Sequence, residues 1–234
     1  MNKEVKKTKK NKLIINKNDL DFDIQLKKDD GNKKKSSNDE INNDHEKESD
    51  KIKVASLFSG CGGLDYGFIK NKKYKHVFVN DFDKDACDTY EKNFGIKPIC
   101  DDIKNIKNIP DFDLLLGGFP CQGFSMVNPY RSEKDERNKL YLEILRILNN
   151  KKPSYFLLEN VKGLMNLGGY ETNEDKKNKT GKVFKIIIND LEKCGYNVMF
   201  KLFDIKNYDV PQKRQRVIII GVRKNLNFIS KIKK

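Results

Sequence analysis

Seven short apolar runs, each followed by a loop, constrain this chain more than any other feature. They are "IKVASLF", "KHVFVND", "KPICDDI", "FDLLLGGF", "PSYFLLENV", "YNVMFKLFDI" and "RVIIIGV", all beyond residue 51. Several are continuously apolar rather than alternating, the pattern of strands buried on both faces. Stretches with helical spacing lie between them. "KDACDTYEKNF" carries Ala86, Thr89, Tyr90 and Phe94, and "KLYLEILRILNN" carries Leu140, Ile144, Leu145 and Leu148 on one side. "VFKIIINDLEKCG" is a further helix, ended by Gly195. Strands alternating with helices predict an α/β fold with a mostly parallel, doubly wound sheet. Ligands bind such sheets at the carboxyl ends of the strands, so the loops after each strand carry the functional information.

Residues 1–50 read differently. "KKTKKNK" and "GNKKKSSNDEINNDHEKESD" are polar, charged and aperiodic, which predicts a disordered charged tail ahead of a catalytic domain over 51–234. The run "KKTKK" reads either as a nucleic-acid or nuclear-localisation patch or as a solvated stretch. The tail holds 13 Lys against 12 Asp and Glu, so nearly all of the formal +14 belongs to the folded part. A basic domain suits a polyanion such as nucleic acid, although the abundance of Lys, Asn and Ile also fits an AT-rich genome.

The five cysteines, Cys61, Cys87, Cys100, Cys121 and Cys194, form no C-x-x-C pair and leave one unpaired. That argues against a disulfide framework or a zinc site and for reduced intracellular thiols. With only His45 and His76, neither a histidine triad nor a metal cluster has much material, so no metal is expected. No apolar run reaches the roughly 18 residues that span a bilayer. The expected location is inside the cell, the cytoplasm of a prokaryote or the nucleus of a eukaryote.

The loops narrow the chemistry. After the first strand, "SGCGGLDYGF" places Gly60, Gly62 and Gly63 before a helix start, with Asp65 where the third glycine of a dinucleotide loop would be. Asp81 ends the second strand, where a carboxylate can accept ribose hydroxyls. Asp101 and Asp102 follow the third, and Asp102 can accept from an adenine amine. With Phe58 and no pyrophosphate loop, the set describes an adenosine pocket of the kind S-adenosyl-L-methionine needs. Pro120-Cys121 follows the fourth strand and Glu159-Asn160 the fifth. Cys121 reads either as a small buried hydrophobe or as a nucleophile. Glu159 reads as a strand-end hydrogen-bonder or as an acid set aside for use. In "PQKRQRV", Arg214 and Arg216 point the same way along an extended chain, toward an anion or into solvent.

Taken together, these residues resemble the DNA (cytosine-5)-methyltransferase family. "LFSGCGGLDYGF" is similar to its cofactor loop and "GGFPCQGFS" to its catalytic loop. "LENVKGL" resembles its Glu-Asn-Val motif, and "YDVPQKRQRVIIIGVR" its Gln-x-Arg-x-Arg motif. The similarity runs over residues 52–223 in the family's order. It implies a Rossmann-like SAM-dependent methyltransferase fold and methylation of C5 of cytosine in double-stranded DNA, as in restriction–modification. Catalysis would fall to Cys121 as nucleophile, Glu159 on the base edge, Arg214 and Arg216 near the cytosine oxygen, and Asn160 ordering the Pro120-Cys121 loop. The cofactor would lie against Phe58, Ser59, Gly60, Cys61, Gly62 and Gly63. Asp81 would hold the ribose, and Phe82, Asp102, Ile103, Pro120 and Leu140 would complete its pocket. Ser125 would hold the catalytic loop, within a flap "SMVNPYRSEKDERNKL".

The family's target-recognition region and its later motifs have no counterpart here. The resemblance therefore implies a subunit completed by a second polypeptide, a truncated relic or a fragment. A non-catalytic SAM- or nucleic-acid-binding module and a tRNA cytosine-5 methyltransferase are the alternatives.

Overall fold

The computed structural model describes residues 50–120 and 136–226. Cys121 and Ser125, with residues 125–135 of the expected flap, lie outside the described residues, as does the expected tail except for Asp50.

The seven apolar runs are all strands of one sheet. They are β1 (Ile52–Leu57), β2 (Tyr74–Asp81), β3 (Ile99–Cys100), β4 (Leu114–Gly117), β5 (Tyr155–Val161), β6 (Tyr196–Asp204) and β7 (Gln215–Arg223). Their order across the sheet is β3-β2-β1-β4-β5-β7-β6. β1, β2, β3, β4 and β5 pair in parallel, while β7 pairs antiparallel to both β5 and β6. The chain leaves β1 toward one edge through β2 and β3, then returns to the other side of β1 for β4 and β5. That reversal puts the topological switch between β1 and β4, where a crevice opens at the carboxyl ends.

Both faces of the central strands are covered. Ala55 and Leu57 of β1, Leu115 of β4, Phe156 and Leu158 of β5, and Val217 and Ile219 of β7 share one core cluster. Their neighbours Val54, Ser56, Leu114 and Leu116 point the other way and are also buried. Two helices close the first face. α3 (Glu136–Lys151) contributes Tyr141, Ile144, Ile147 and Leu148. The helix Lys182–Lys193 contributes Val183, Phe184, Ile187 and Leu191. The four residues expected on one side of α3, Leu140, Ile144, Leu145 and Leu148, all pack against this core. Tyr141 and Ile147 are buried where Leu140 and Leu145 are only half-buried. Tyr141 can go inward because its hydroxyl donates to the carbonyl of Ile187 at 3.2 Å.

The remaining helices are α1 (Tyr66–Lys70), α2 (Lys84–Phe94), α4 (Gly163–Asn166) and α5 (Asn173–Asn178), with Lys182–Lys193 as α6. α2 starts at Asp83, whose side chain accepts from the Ala86 amide, and ends at Gly95 with φ 65°. Its buried face is Cys87 and Tyr90, while Thr89 is exposed. All these elements belong to one compact unit, Lys47–Arg223. Among the described residues, no helix is long and apolar enough to cross a membrane.

Candidate active site

At the end of β1 the chain turns through Phe58, whose φ of 54° is costly for a side chain of that size. The turn is held from outside. The Ser59 amide donates to the Asn80 carbonyl (3.2 Å) and the Gly60 amide to Asp81 Oδ2 (2.7 Å). Gly62, at φ 88°, accepts no substitution: a Cβ there would overlap the Phe94 ring and meet Tyr90. The loop then enters α1, only five residues long.

Asp81 is fixed on every side. Its Oδ1 accepts from the Asp83 amide at 3.0 Å, and its carbonyl accepts from the Asp101 amide at 3.1 Å. The Cys87 thiol lies 3.6 Å from the same carbonyl. Burial, with the neighbouring Cys100 thiol adding to it, pushes Cys87 up to about 12. Two amides leave the Asp81 carboxylate with spare lone pairs, enough to accept further hydroxyls. Asn80 ties the strand ends together, donating to the carbonyls of Ile99 and Asp101, both at 2.8 Å.

Beside this corner lies a cavity of ≈ 160 Å³, lined by Phe58, Asn80, Phe82, Asp101, Asp102, Ile103, Lys104 and Leu140. The sequence pointed to Phe58, Phe82, Asp102, Ile103 and Leu140; the structure brings these five to one cavity. Phe82 is 73% exposed, a large apolar ring left open to stack on a flat ligand. Asp102 presents a carboxylate, paired with the Lys104 ammonium at 3.4 Å. Asn80, Asp101 and Lys104 also line the cavity and were not among the expected site residues. Asn80 escapes sequence reading because its job is bracing a neighbouring strand. Ser59, Gly60, Cys61, Gly62 and Gly63 form the adjoining loop rather than the cavity wall. Ser59 Oγ is buried and has no partner within the described residues, a donor that a bound group can take up. Apolar walls, acceptor carboxylates at one end and a glycine turn fit the adenosine and methionine parts of S-adenosyl-L-methionine.

A second cluster lies on the same rim. β4 ends in Gly117 and continues through Gly118, Phe119 and Pro120. β5 ends with Glu159, Asn160 and Val161. Because β7 runs the other way, its start falls at this rim, with Arg216 opposite Val161. Arg216 Nε donates to Glu159 Oε1 at 2.8 Å, and Arg214 Nη2 lies 3.9 Å from the same oxygen. A Cβ on Gly118 would sit 3.8 Å from Glu159 Oε2, so that second oxygen lies over the backbone that leads to Cys121. Asn160 Nδ2 donates to the Phe119 carbonyl at 2.8 Å, and Asn160 Oδ1 accepts from the Val161 amide at 2.9 Å. The structure therefore brings Glu159, Asn160, Arg214 and Arg216 to the backbone that leads through Pro120 to Cys121. Among the described residues there is no cluster of three or more His, Cys, Asp or Glu able to hold a metal ion.

Comparison with known proteins gives a consistent result. The profile of the family C-5 cytosine-specific DNA methylase matches residues 52–234. Type II methyltransferase M.BsuFI of Bacillus subtilis is 41% identical over 195 residues, covering 82% of this chain and 45% of that protein. Type II methyltransferase M.NgoFVII of Neisseria gonorrhoeae is 44% identical over 184 residues, covering 77% of this chain and 46% of that one. Among solved structures, a putative DNA modification methyltransferase encoded within a prophage (E. coli) is 26% identical with a TM-score of 0.56, covering 75% of this chain and 48% of that one. The chain spans about half the length of these relatives.

Proposed function

The chain belongs to the C-5 cytosine-specific DNA methylase family, and on that premise we propose that it transfers a methyl group from S-adenosyl-L-methionine to C5 of cytosine in double-stranded DNA. The observation that carries this reading is the Glu159 carboxylate, held through Oε1 by Arg216 while Oε2 lies over the loop that leads to Cys121.

The chemistry follows from the weakness of cytosine C5 as a nucleophile. The Cys121 thiolate adds to C6, forming a carbon–sulfur bond and pushing electron density onto C5. When bound, the cofactor would supply an electrophilic methyl group to C5, its sulfonium S–CH3 bond breaking to leave a neutral thioether. Glu159 faces N3 and the 4-amino group and shares a proton with the base as charge builds. The Phe119 carbonyl, which Asn160 Nδ2 holds in place, accepts from the same amino group. Arg216 reaches the O2 side, and Arg214 adds positive charge beside the developing anion. Loss of the C5 proton then expels Cys121 and restores the ring. C6 and C5 are shielded inside a duplex, so the base is flipped out first. The adenosine corner is held by Asp81, Phe82 and Asp102.

The test is trapping on a duplex carrying 5-fluorocytosine, whose C5 substituent cannot leave. With the full chain and S-adenosyl-L-methionine, a covalent adduct is expected for wild type and none for Cys121→Ser. On ordinary DNA, nucleoside mass spectrometry is expected to find 5-methylcytosine. A methyl group on an exocyclic nitrogen instead, or on tRNA alone, overturns the proposal. Cofactor binding without any adduct assigns target recognition to a second polypeptide and overturns action by this chain alone.

A further inference from the structure

The glycine loop is pinned from two sides, and only one of them, Asp81, belongs to the cofactor pocket described above. The other is Asp65, the residue immediately before α1. It is fully buried at 0% exposure, on the face of β1 away from α3 and α6. A carboxylate removed from water is costly unless partners compensate it. Asp65 has two from different strands. Ser56 Oγ of β1 donates to Oδ2 at 3.0 Å, and His76 Nε2 of β2 lies 3.0 Å from Oδ1. A carboxylate only accepts, so Nε2 carries the hydrogen of that bond. The His76 side chain is itself 2% exposed.

The backbone at and just after Asp65 ties the loop to the helix start. The Tyr66 amide donates to the Gly62 carbonyl at 3.0 Å and the Ile69 amide to the Asp65 carbonyl at 2.9 Å. Gly62 lies against Tyr90 and Phe94 of α2. The Tyr90 oxygen has no partner at full hydrogen-bond geometry among the described residues, but the Asp65 carboxylate stands beside it. It is near enough that Asp65, after burial, helps to hold its phenol well above the ordinary range. Asp65 thus stands at the helix end of the loop, whereas Asp81 grips Gly60 at the strand end.

We propose that Asp65 is a positioning residue for the cofactor loop, anchored by the Nε2–H of His76 and the hydroxyl of Ser56. It sets where Gly60 and Gly62 meet the cofactor without touching it. The proposal rests on reading that loop as the S-adenosyl-L-methionine site. Its signature is a loss of cofactor affinity with turnover at saturating cofactor retained, because the Glu159 cluster is built on other strands.

The test uses the full chain and titration calorimetry with S-adenosyl-L-methionine. Asp65→Asn keeps the shape but removes the charge, and is expected to raise Kd about tenfold. His76→Phe is expected to weaken binding similarly, and His76→Gln, which keeps an amide donor, to recover most of it. A second readout needs no variant. The chain has two histidines, His45 and His76, so nitrogen NMR of labelled wild type resolves both rings. His76 is expected as the Nε2–H form, with signals that move on cofactor addition. Variants that melt earlier but bind within twofold of wild type make Asp65 merely structural and overturn the proposal. Unmoved His76 signals at saturating cofactor also overturn it. Wild type that binds no cofactor sinks the underlying site reading, a result separate from any difference among variants.

Discussion

At the scale of single residues, the role proposed for Glu159 separates binding from chemistry. Its ion-pair partners are Arg216 and Arg214, and none of the three lines the cavity beside Asp81. Glu159→Gln is therefore expected to bind S-adenosyl-L-methionine like wild type while methyl transfer falls by about 10²- to 10⁴-fold, the range for losing a positioned acid. Calorimetry beside a radiolabelled methylation assay checks both halves. The thiols make a second case. Cys61 and Cys100 are exposed, whereas Cys87 is buried and pushed up to about 12. At pH 8 an alkylating reagent is expected to label Cys61 and Cys100 on the folded chain and to spare Cys87, as peptide mass spectrometry would show. The residues most legible in the sequence stand directly after strands, where glycines, acids or arginines interrupt an apolar run. Asp65 and His76 were not legible as a pair. Neither stands at a strand end, and the bond between them joins a helix start to the middle of β2.

At the scale of elements, the β5–β7 pairing has one tight point. Gly221 lies opposite Phe156, and a Cβ there would overlap the ring. Gly221→Ala is expected to destabilise the chain by about 1–3 kcal/mol, the usual cost of overpacking, and urea denaturation measures it. The strands were readable because their apolar runs are continuous. α4 and α5 were not, because Gly163–Asn166 is one turn long and Asn173–Asn178 is polar throughout. α5 is held by its capping box instead, with Thr172 and Asp175 bonded reciprocally. The face of α3 was legible but is wider than expected, because the Tyr141 hydroxyl has a buried acceptor that no periodicity reveals.

At the scale of the whole molecule, the formal charge of +14 predicts DNA binding dominated by phosphate contacts. Raising salt from 50 to 200 mM is expected to weaken duplex affinity by at least about tenfold, read by fluorescence anisotropy. A shallow salt dependence would return the lysines to genome composition alone. The sheet order also has a temporal consequence. β7 inserts between β5 and β6, so Arg216 meets Glu159 only after the chain beyond β6 has folded back to pair Val161 with Arg216. The cofactor corner draws on β1, β2 and β3 with their loops and on Leu140 of α3, all of which precede β5. On a ribosome, a nascent chain can thus assemble the cavity beside Asp81 well before Glu159 acquires its counter-ion. Under the proposed mechanism, synthesis itself delays reactivity until the antiparallel strand is seated.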